Sequence, residues 1–340
     1  MVTAKCLAAT QSSFEKRTMY TVQFTIPGVC LAEFNTHGLV RRNTASSRAI
    51  PVATRIKNVM ANHWIPHRVG VNKPGMQATE YLSQPEYEEF VRIWKNHVKE
   101  ACSFGGDLST IKNVHKEIAN RVFENFSYVT LIATSAHWET FFRQRIHEAA
   151  QDPIAEAAIA IYEAIAAAKV ERFDIHIPFV SRETKQKIQK LYNHKELYCS
   201  DLAELRRAIE EDEEIWKAIA AAVGRAASVS YERQDEERTP EQLINIFNKM
   251  HTSEPAHWSP FEHVYFASNL TDRLRSRRAN CNFAGTKWTS LRSVLEHTSY
   301  TPDCWSRAVY FQDWSKCADR VREVKEKLNL PKEKTNGIWS

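Results

Sequence analysis

Only nine glycines occur in the 340 residues, and neither GxGxxG nor a P-loop is among the motifs, so a glycine-rich backbone cradle for phosphates is excluded. No CxxC pair occurs. The seven cysteines stand singly at 6, 30, 102, 199, 281, 304 and 317, which excludes a zinc knuckle or disulfide frame and points to reduced thiols in a cytoplasmic protein. No apolar run approaches the length of a membrane span, and the opening MVTAKCLAATQSSFEKR lacks a signal-peptide core. Dense Lys/Arg tracts are missing too. With 46 basic and 41 acidic residues, the net charge of +5 favours an anionic small molecule over a nucleic acid polymer. What is present is a globular composition, 43% hydrophobic and 26% charged, long enough to bury a sizeable core.

Tyr20, Val22, Phe24 and Ile26 alternate with polar neighbours and predict a half-buried strand, broken at Pro27–Gly28. Helical spacing follows over 84–102, over a segment opened by Asp107 with Ser109 as a possible cap, and over 135–149. Asp152 and Pro153 start an alanine-rich helix through Val170. FDIHIPFV (173–180) reads as extended, 181–215 as a charged insert turning helical, with the acidic run 210–214 on a solvated face. ASVSYER (227–233) is strand-like and PEQLINIFNKMH a short helix. HWSPFEHVYFAS (257–268) runs from a turn into a strand, the later part of 280–300 and about 313–328 are helical, and 331–340 is a polar tail. One α+β domain over 1–330 is expected, with a central, largely antiparallel sheet flanked by helices.

The densest chemistry lies in EFNTHGLVRRNTASSRAIP (33–51). Arg41, Arg42 and Arg48 supply positive charge, and Thr44, Ser46 and Ser47 supply short donors, a mix suited to phosphate but also to a solvated polar loop. Arg145, on a helix with Trp138, Phe141 and Phe142, suits a fixed anion clamp or an ordinary surface position; Asn120–Arg121 carries the same ambiguity. HWSPFEH has the wrong spacing for a helical zinc motif and suits either a polar wall beside a planar ring or a capped turn. Asn72–Lys73–Pro74–Gly75 is turn chemistry, and His63 and His67 have no third ligand beside them, so no metal is expected.

Taken in order, AEFNTH…RNTASSRAIP, NKPGMQA, ANRVFENF, SAHW…FFRQRIHEAAQ, HIPFV, VSY and HWSPFEH resemble the flavin-dependent thymidylate synthases in their longer phage and bacterial form. The resemblance implies reductive methylation of dUMP at C5, with methylenetetrahydrofolate as carbon donor and FAD, reduced by NADPH, as hydride donor. No enzyme cysteine activates the ring in that class, and none lies in the site motifs. The roles implied are catalysis by Arg145, Ser46 and His257. Nucleotide contacts fall to Glu33, Ser46, Ser47, Arg48, Arg121 and Arg145, and flavin contacts to His37, Arg41, Asn43, His257, Ser259 and Glu262. A homotetramer is implied, in the host cytoplasm if phage-encoded. The chain departs from the pattern at Gly38 and Arg41, where the family usually has arginine and serine, and at Ser228. Were residues 37–42 a helical turn, Arg41 could reach back across Gly38 and restore the charge. The departures also admit methylation or hydroxymethylation of another pyrimidine nucleotide, or a non-catalytic relic.

Overall fold

Tyr20, Val22, Phe24 and Ile26 all lie on one face of a strand, β2 (Met19–Pro27), at the middle of a five-stranded sheet. The computed structural model describes residues 1–13, 16–75, 78–194, 202–233, 235–253, 256–267 and 288–299. β2 pairs antiparallel with β1 (Thr3–Gln11) and β4 (Tyr128–Ser135); β3 (Arg41–Thr44) pairs antiparallel with β4 on its other side. β5 (Glu171–Arg172) adds a short parallel pair to β1, giving the order β3-β4-β2-β1-β5 and a mixed α/β architecture. A second sheet, β6 (Ile175–His176), β7 (Tyr265–Ala267) and β8 (Trp288–Ser290), is antiparallel.

Side chains alternate across a strand, so the large sheet has two distinct faces. Val22, Phe24, Ile26, Leu131 and Ala133 point to the first. There they meet Phe34 of α1 (Leu31–Asn35), Trp138 and Phe141 of α5 (Trp138–Arg145), and Ile154, Ala157, Ala158 and Ile161 of α6 (Asp152–Ala166). Ile132 points to the second face, against Ala226 of α9 (Glu213–Ala227) and Val229. α9 packs on α10 (Pro240–Thr252), whose start carries a capping box between Thr239 and Gln242. α2 (Val52–Ala61) and α3 (Gln84–Thr110) enclose a third apolar cluster with Phe123.

Several boundaries differ from the sequence reading. β1 and β4 were not expected as strands; β4 is buried almost throughout, which removes the alternation that marks a half-exposed strand. α3 runs unbroken through Gly105 and Gly106 to Thr110, where a new helix had been expected to start at Asp107. A Cβ at Gly105 would meet the Phe123 ring at 2.6 Å, so the helix packs there only through a residue without one. Ile111 and Ile118, apolar positions at helical spacing in the segment opened by Asp107, are exposed and belong to no core stripe. Residues 135–137 finish β4 and lead into the shorter helix α5, and 29–34 form a 3-10 turn and α1. The strand expected at 227–233 is a 3-10 turn, Ser228–Tyr231. The charged stretch 181–215 contains α7 (Arg182–His194) and α8 (Leu202–Glu211) with Ile188 and Ile209 buried, and α9 starts at the Asp212 cap. Within it, Glu210, Glu211, Glu213 and Glu214 are exposed. Met1–Val294 forms one unit of the fold; a second runs from Leu295, where only the end of the helix Leu291–Ser299 is described. The helix expected at 313–328, the tail at 331–340 and four of the cysteines lie outside the described residues; Cys6, Cys30 and Cys102 are free thiols.

Polar groups also cross the second face. Thr10, His176, Thr21, Thr134 and His263 are all fully buried and joined by hydrogen bonds of 2.7–2.9 Å. Burial holds the His263 imidazole down to about 3, and burial, with Lys185 and His263 nearby, holds His176 well below the usual histidine range. An unfolded histidine protonates near 6.5, so between pH 3 and 6.5 the unfolded chain binds the extra proton. Stability therefore rises with pH across this window and is lost as pH falls. Urea titrations at several pH values should show a slope approaching about 1.4 kcal/mol per pH unit from His263, flattened in His263→Gln.

Candidate functional site

β3 is a short edge strand of the five-stranded sheet, and the residues of 33–51 distribute around it as three clusters. Strand parity decides the division: Arg41 and Asn43 pair with Thr134 and Ile132 on the second face, whereas Arg42 and Thr44 pair with Ala133 and Leu131 on the first.

The first cluster joins Glu33 of α1, His37 in the following turn and Arg145 at the end of α5. Arg145 Nε donates to His37 Nε2 at 3.0 Å, and its Nη1 donates to Glu33 Oε1. Because Nε2 accepts, the neutral His37 ring carries its proton on Nδ1. Burial first, then the Arg145 and Arg42 guanidiniums, hold its pKa down to about 4. The ring also stands edge-on to Phe141, with centroids 4.8 Å apart. Arg145 is thus fixed from two sides while its Nη2 donors are left over from both contacts; its side chain is 19% exposed, and the neighbouring Arg143 faces solvent.

The second cluster lies across the sheet. Glu262, in the 3-10 turn Ser259–His263, sits 3.8 Å from Arg41 and 3.3 Å from Arg292. Asn43 donates to the Ala226 carbonyl at 3.0 Å and accepts from the exposed Ser259 hydroxyl at 3.3 Å. His257 is exposed, its backbone N–H bound to the Met250 carbonyl.

The third cluster follows β3. Ser46 N–H donates to the Ser230 carbonyl at 3.0 Å, and the Ser46 hydroxyl accepts from Arg48 N–H at 3.3 Å. Asn120, wholly buried, donates to the carbonyls of Ser47 (2.6 Å) and Ile50 (2.9 Å), and Lys116 donates to that of Ala49 (2.9 Å). These bonds tie the serine-rich turn to α4 (Lys116–Ala119) and the 3-10 turn after it. The clamp role of Asn120 was not foreseen; an asparagine beside a candidate arginine was the only signal. Arg48 pairs with Glu117 at 3.5 Å and Arg121 with Glu124 at 2.9 Å.

Arg41, Arg48, Arg121 and Arg145 therefore each face a glutamate. For the exposed pairs this costs an incoming anion little, since such pairs are worth about 0–1 kcal/mol. Glu124→Gln frees the Arg121 guanidinium, and should tighten any binding of inorganic phosphate there by about twofold, the equivalent of roughly 0.5 kcal/mol, as read by calorimetry.

Gly38 departs from the expected local structure. Residues 37–40 form a turn and Arg41 opens β3, so no helical face carries both positions. The Arg41 guanidinium goes to Glu262 and does not reach back across Gly38. A Cβ at Gly38 would meet nothing within 4 Å, and its φ is not positive. Gly38→Arg should fold with stability within about 0.5 kcal/mol of the starting chain, measured by urea unfolding. The double change Gly38→Arg with Arg41→Ser separates added charge from the Arg41–Glu262 pair.

The donor set suits a flavin unevenly. On the second face Arg41, Ser259, His257 and Glu262 offer half-buried charge beside exposed donors. His37 and Asn43 are spent on Arg145 and on Ala226 and Ser259, so they orient neighbours more readily than they meet a ligand. Among the described residues no group of three or more His, Cys, Asp or Glu is placed to hold a metal ion.

No family model and no curated protein matches the chain. Solved structures similar to part of it include the UMP/dUMP methylase PolB from Streptomyces cacaoi bound with 5-Br dUMP. It is 16% identical with a TM-score of 0.41, over 49% of this chain and 90% of that one. The same methylase with 5-Br UMP gives 20% identity and a TM-score of 0.34, over 42% of this chain and 65% of that one. Flavin-dependent thymidylate synthase ThyX from Helicobacter pylori, complexed with FAD and dUMP, gives 15%, 0.27, 43% and 67% respectively.

Proposed function

We propose that the chain is a flavin-dependent enzyme that methylates dUMP at C5, using methylenetetrahydrofolate as carbon donor and NADPH as reductant. The observation that carries this reading is Arg145, a guanidinium buttressed by Glu33 and by neutral His37 with further donors to spare. A pyrimidine carbonyl against those donors carries enolate-like negative charge as the ring is activated to make C5 nucleophilic, and a pre-positioned guanidinium stabilises that charge without reorganising. FAD supplies the hydride when bound, held by Arg41, His257 and Ser259 with Glu262 positioning Arg41. Ser46, Ser47, Arg48 and Arg121 take the nucleotide, its phosphate exchanging with Glu117 and Glu124.

Among the described residues, two thiols accord with ring activation without a cysteine. Cys30, the described cysteine nearest Glu33 in sequence, is buried, and its thiol is pushed up to about 12 by burial, then by Glu33 and Glu156. Cys6 is pushed up to about 11 by burial. Neither presents the thiolate that attack on a uracil ring needs. Assembly as a cytoplasmic homotetramer, with sites combining subunits, belongs to the same reading. No described helix is long and apolar enough to cross a membrane.

The open position at Gly38 favours a second reading, a different pyrimidine nucleotide on the same flavin and folate chemistry. The deciding experiment tests the purified chain for bound FAD. It then supplies dUMP, UMP or dCMP with methylenetetrahydrofolate and NADPH and identifies the product by mass. Thymidylate from dUMP supports the first reading; product only from UMP or dCMP supports the second. A colourless chain that stays inactive after FAD is added defeats both.

A further inference from the structure

The buried chain on the second face has a direction. Thr10 Oγ1 meets His176 Nδ1 at 2.9 Å, His176 Nε2 meets Thr21 Oγ1 at 2.7 Å, Thr21 meets Thr134 at 2.7 Å, and Thr134 meets His263 Nδ1 at 2.9 Å. A neutral imidazole has one donor and one acceptor, and a hydroxyl has one proton. Each link takes one proton, and all three hydroxyls spend their single proton within the chain only if every donor runs the same way. Running from Thr10 toward His263, all three hydroxyl protons are spent, and only the proton on His263 Nε2 is left without a partner among the described residues. The reverse direction strands both the Thr10 proton and the His263 Nε2 lone pair. Buried polar groups are costly when unmet, so the first direction holds and His263 is the Nε2–H tautomer.

Thr134 is the joint between this chain and the candidate site. Its strand partner on β3 is Arg41, and its hydroxyl partner is His263, the residue after Glu262. One threonine thus registers both members of the Arg41–Glu262 pair against the sheet. We propose that Thr134 and the one-way chain act as a positioning relay: they hold His263 in the Nε2–H form and so set the turn that presents Glu262 to Arg41. The extension to flavin binding rests on the function proposed above; the relay itself does not.

The test uses the full chain labelled with ¹⁵N-histidine, with long-range proton–nitrogen correlation at neutral pH and amide exchange as a second readout. His263 is expected protonated at Nε2 and bare at Nδ1. In Thr134→Val, of nearly the same shape, His263 should populate both tautomers. The Phe261 amide, bonded to the Trp258 carbonyl at 3.0 Å, should exchange at least about tenfold faster while the Phe24 amide in mid-sheet is unchanged. Thr134→Ser should restore both. His263 protonated at Nδ1 in the starting chain overturns the proposal, as does a valine variant with either readout unmoved. Equal acceleration at Phe261 and Phe24 also overturns it, since the threonine then serves only global stability. An FAD titration separates the two levels. A starting chain that binds no FAD defeats the proposed function and leaves the relay to be judged by the tautomer and exchange data.

Discussion

Arg145→Ala lowers kcat/KM for methylation of dUMP by about 10²–10³-fold, the range found when one donor to a developing oxyanion is removed. On the proposed reading FAD content should stay unchanged, because Arg145 lies on the first face of the sheet, whereas Arg41 and Ser259, proposed to hold the flavin, lie by the second. The loss should fall on kcat, since the interaction strengthens as charge develops. Arg145→Lys is the sharper variant. It keeps the charge but cannot hold both the Glu33 carboxylate and His37 Nε2 in the geometry of a guanidinium fork. Recovery of less than a tenth of the activity with lysine indicates that the two-point anchoring matters. Full recovery would falsify that point and leave Arg145 as a simple counter-charge. Steady-state kinetics with dUMP varied at saturating folate and NADPH distinguish the two.

Phe141→Ala costs about 3–5 kcal/mol of stability, as expected for truncating a fully buried aromatic side chain. The ring touches Phe34 edge-on with centroids 5.3 Å apart, Trp138 at 6.1 Å and His37 at 4.8 Å. Its removal opens the core where α1, α5 and β2 meet and leaves one side of the His37 ring unsupported. A lower urea midpoint with unchanged slope is the expected observation. Phe141→Leu, which keeps most of the volume, should recover more than half of the loss. If alanine costs less than about 1 kcal/mol, the packing around Phe141 is looser than its burial indicates. Activity gives a second readout. At a temperature where the alanine variant is still folded, it should turn over more slowly, because His37 orients Arg145.

The sequence by itself determined elements whose cause is local. Alternation marked β2, Asp152 with Pro153 marked the start of α6, and the residues following Pro240 marked α10. It also determined the chemical inventory of the candidate site, because arginines, hydroxyls and histidines state their chemistry without their neighbours. Three features were decided only by the tertiary structure. β4 is buried on both faces, so no period could announce it. α3 continues through two glycines because packing of Gly105 on Phe123 outweighs the weak helix propensity of glycine. The third is the division of residues 33–51. Arg41 and Asn43 differ from Arg42 and Thr44 by one step along a strand, and only pairing with β4 sends the first two toward Glu262 and Ala226. Charge pairing was equally hidden. Glu33 meets Arg145 from 112 residues away, a contact that requires α1 and α5 to cover the same face of the sheet.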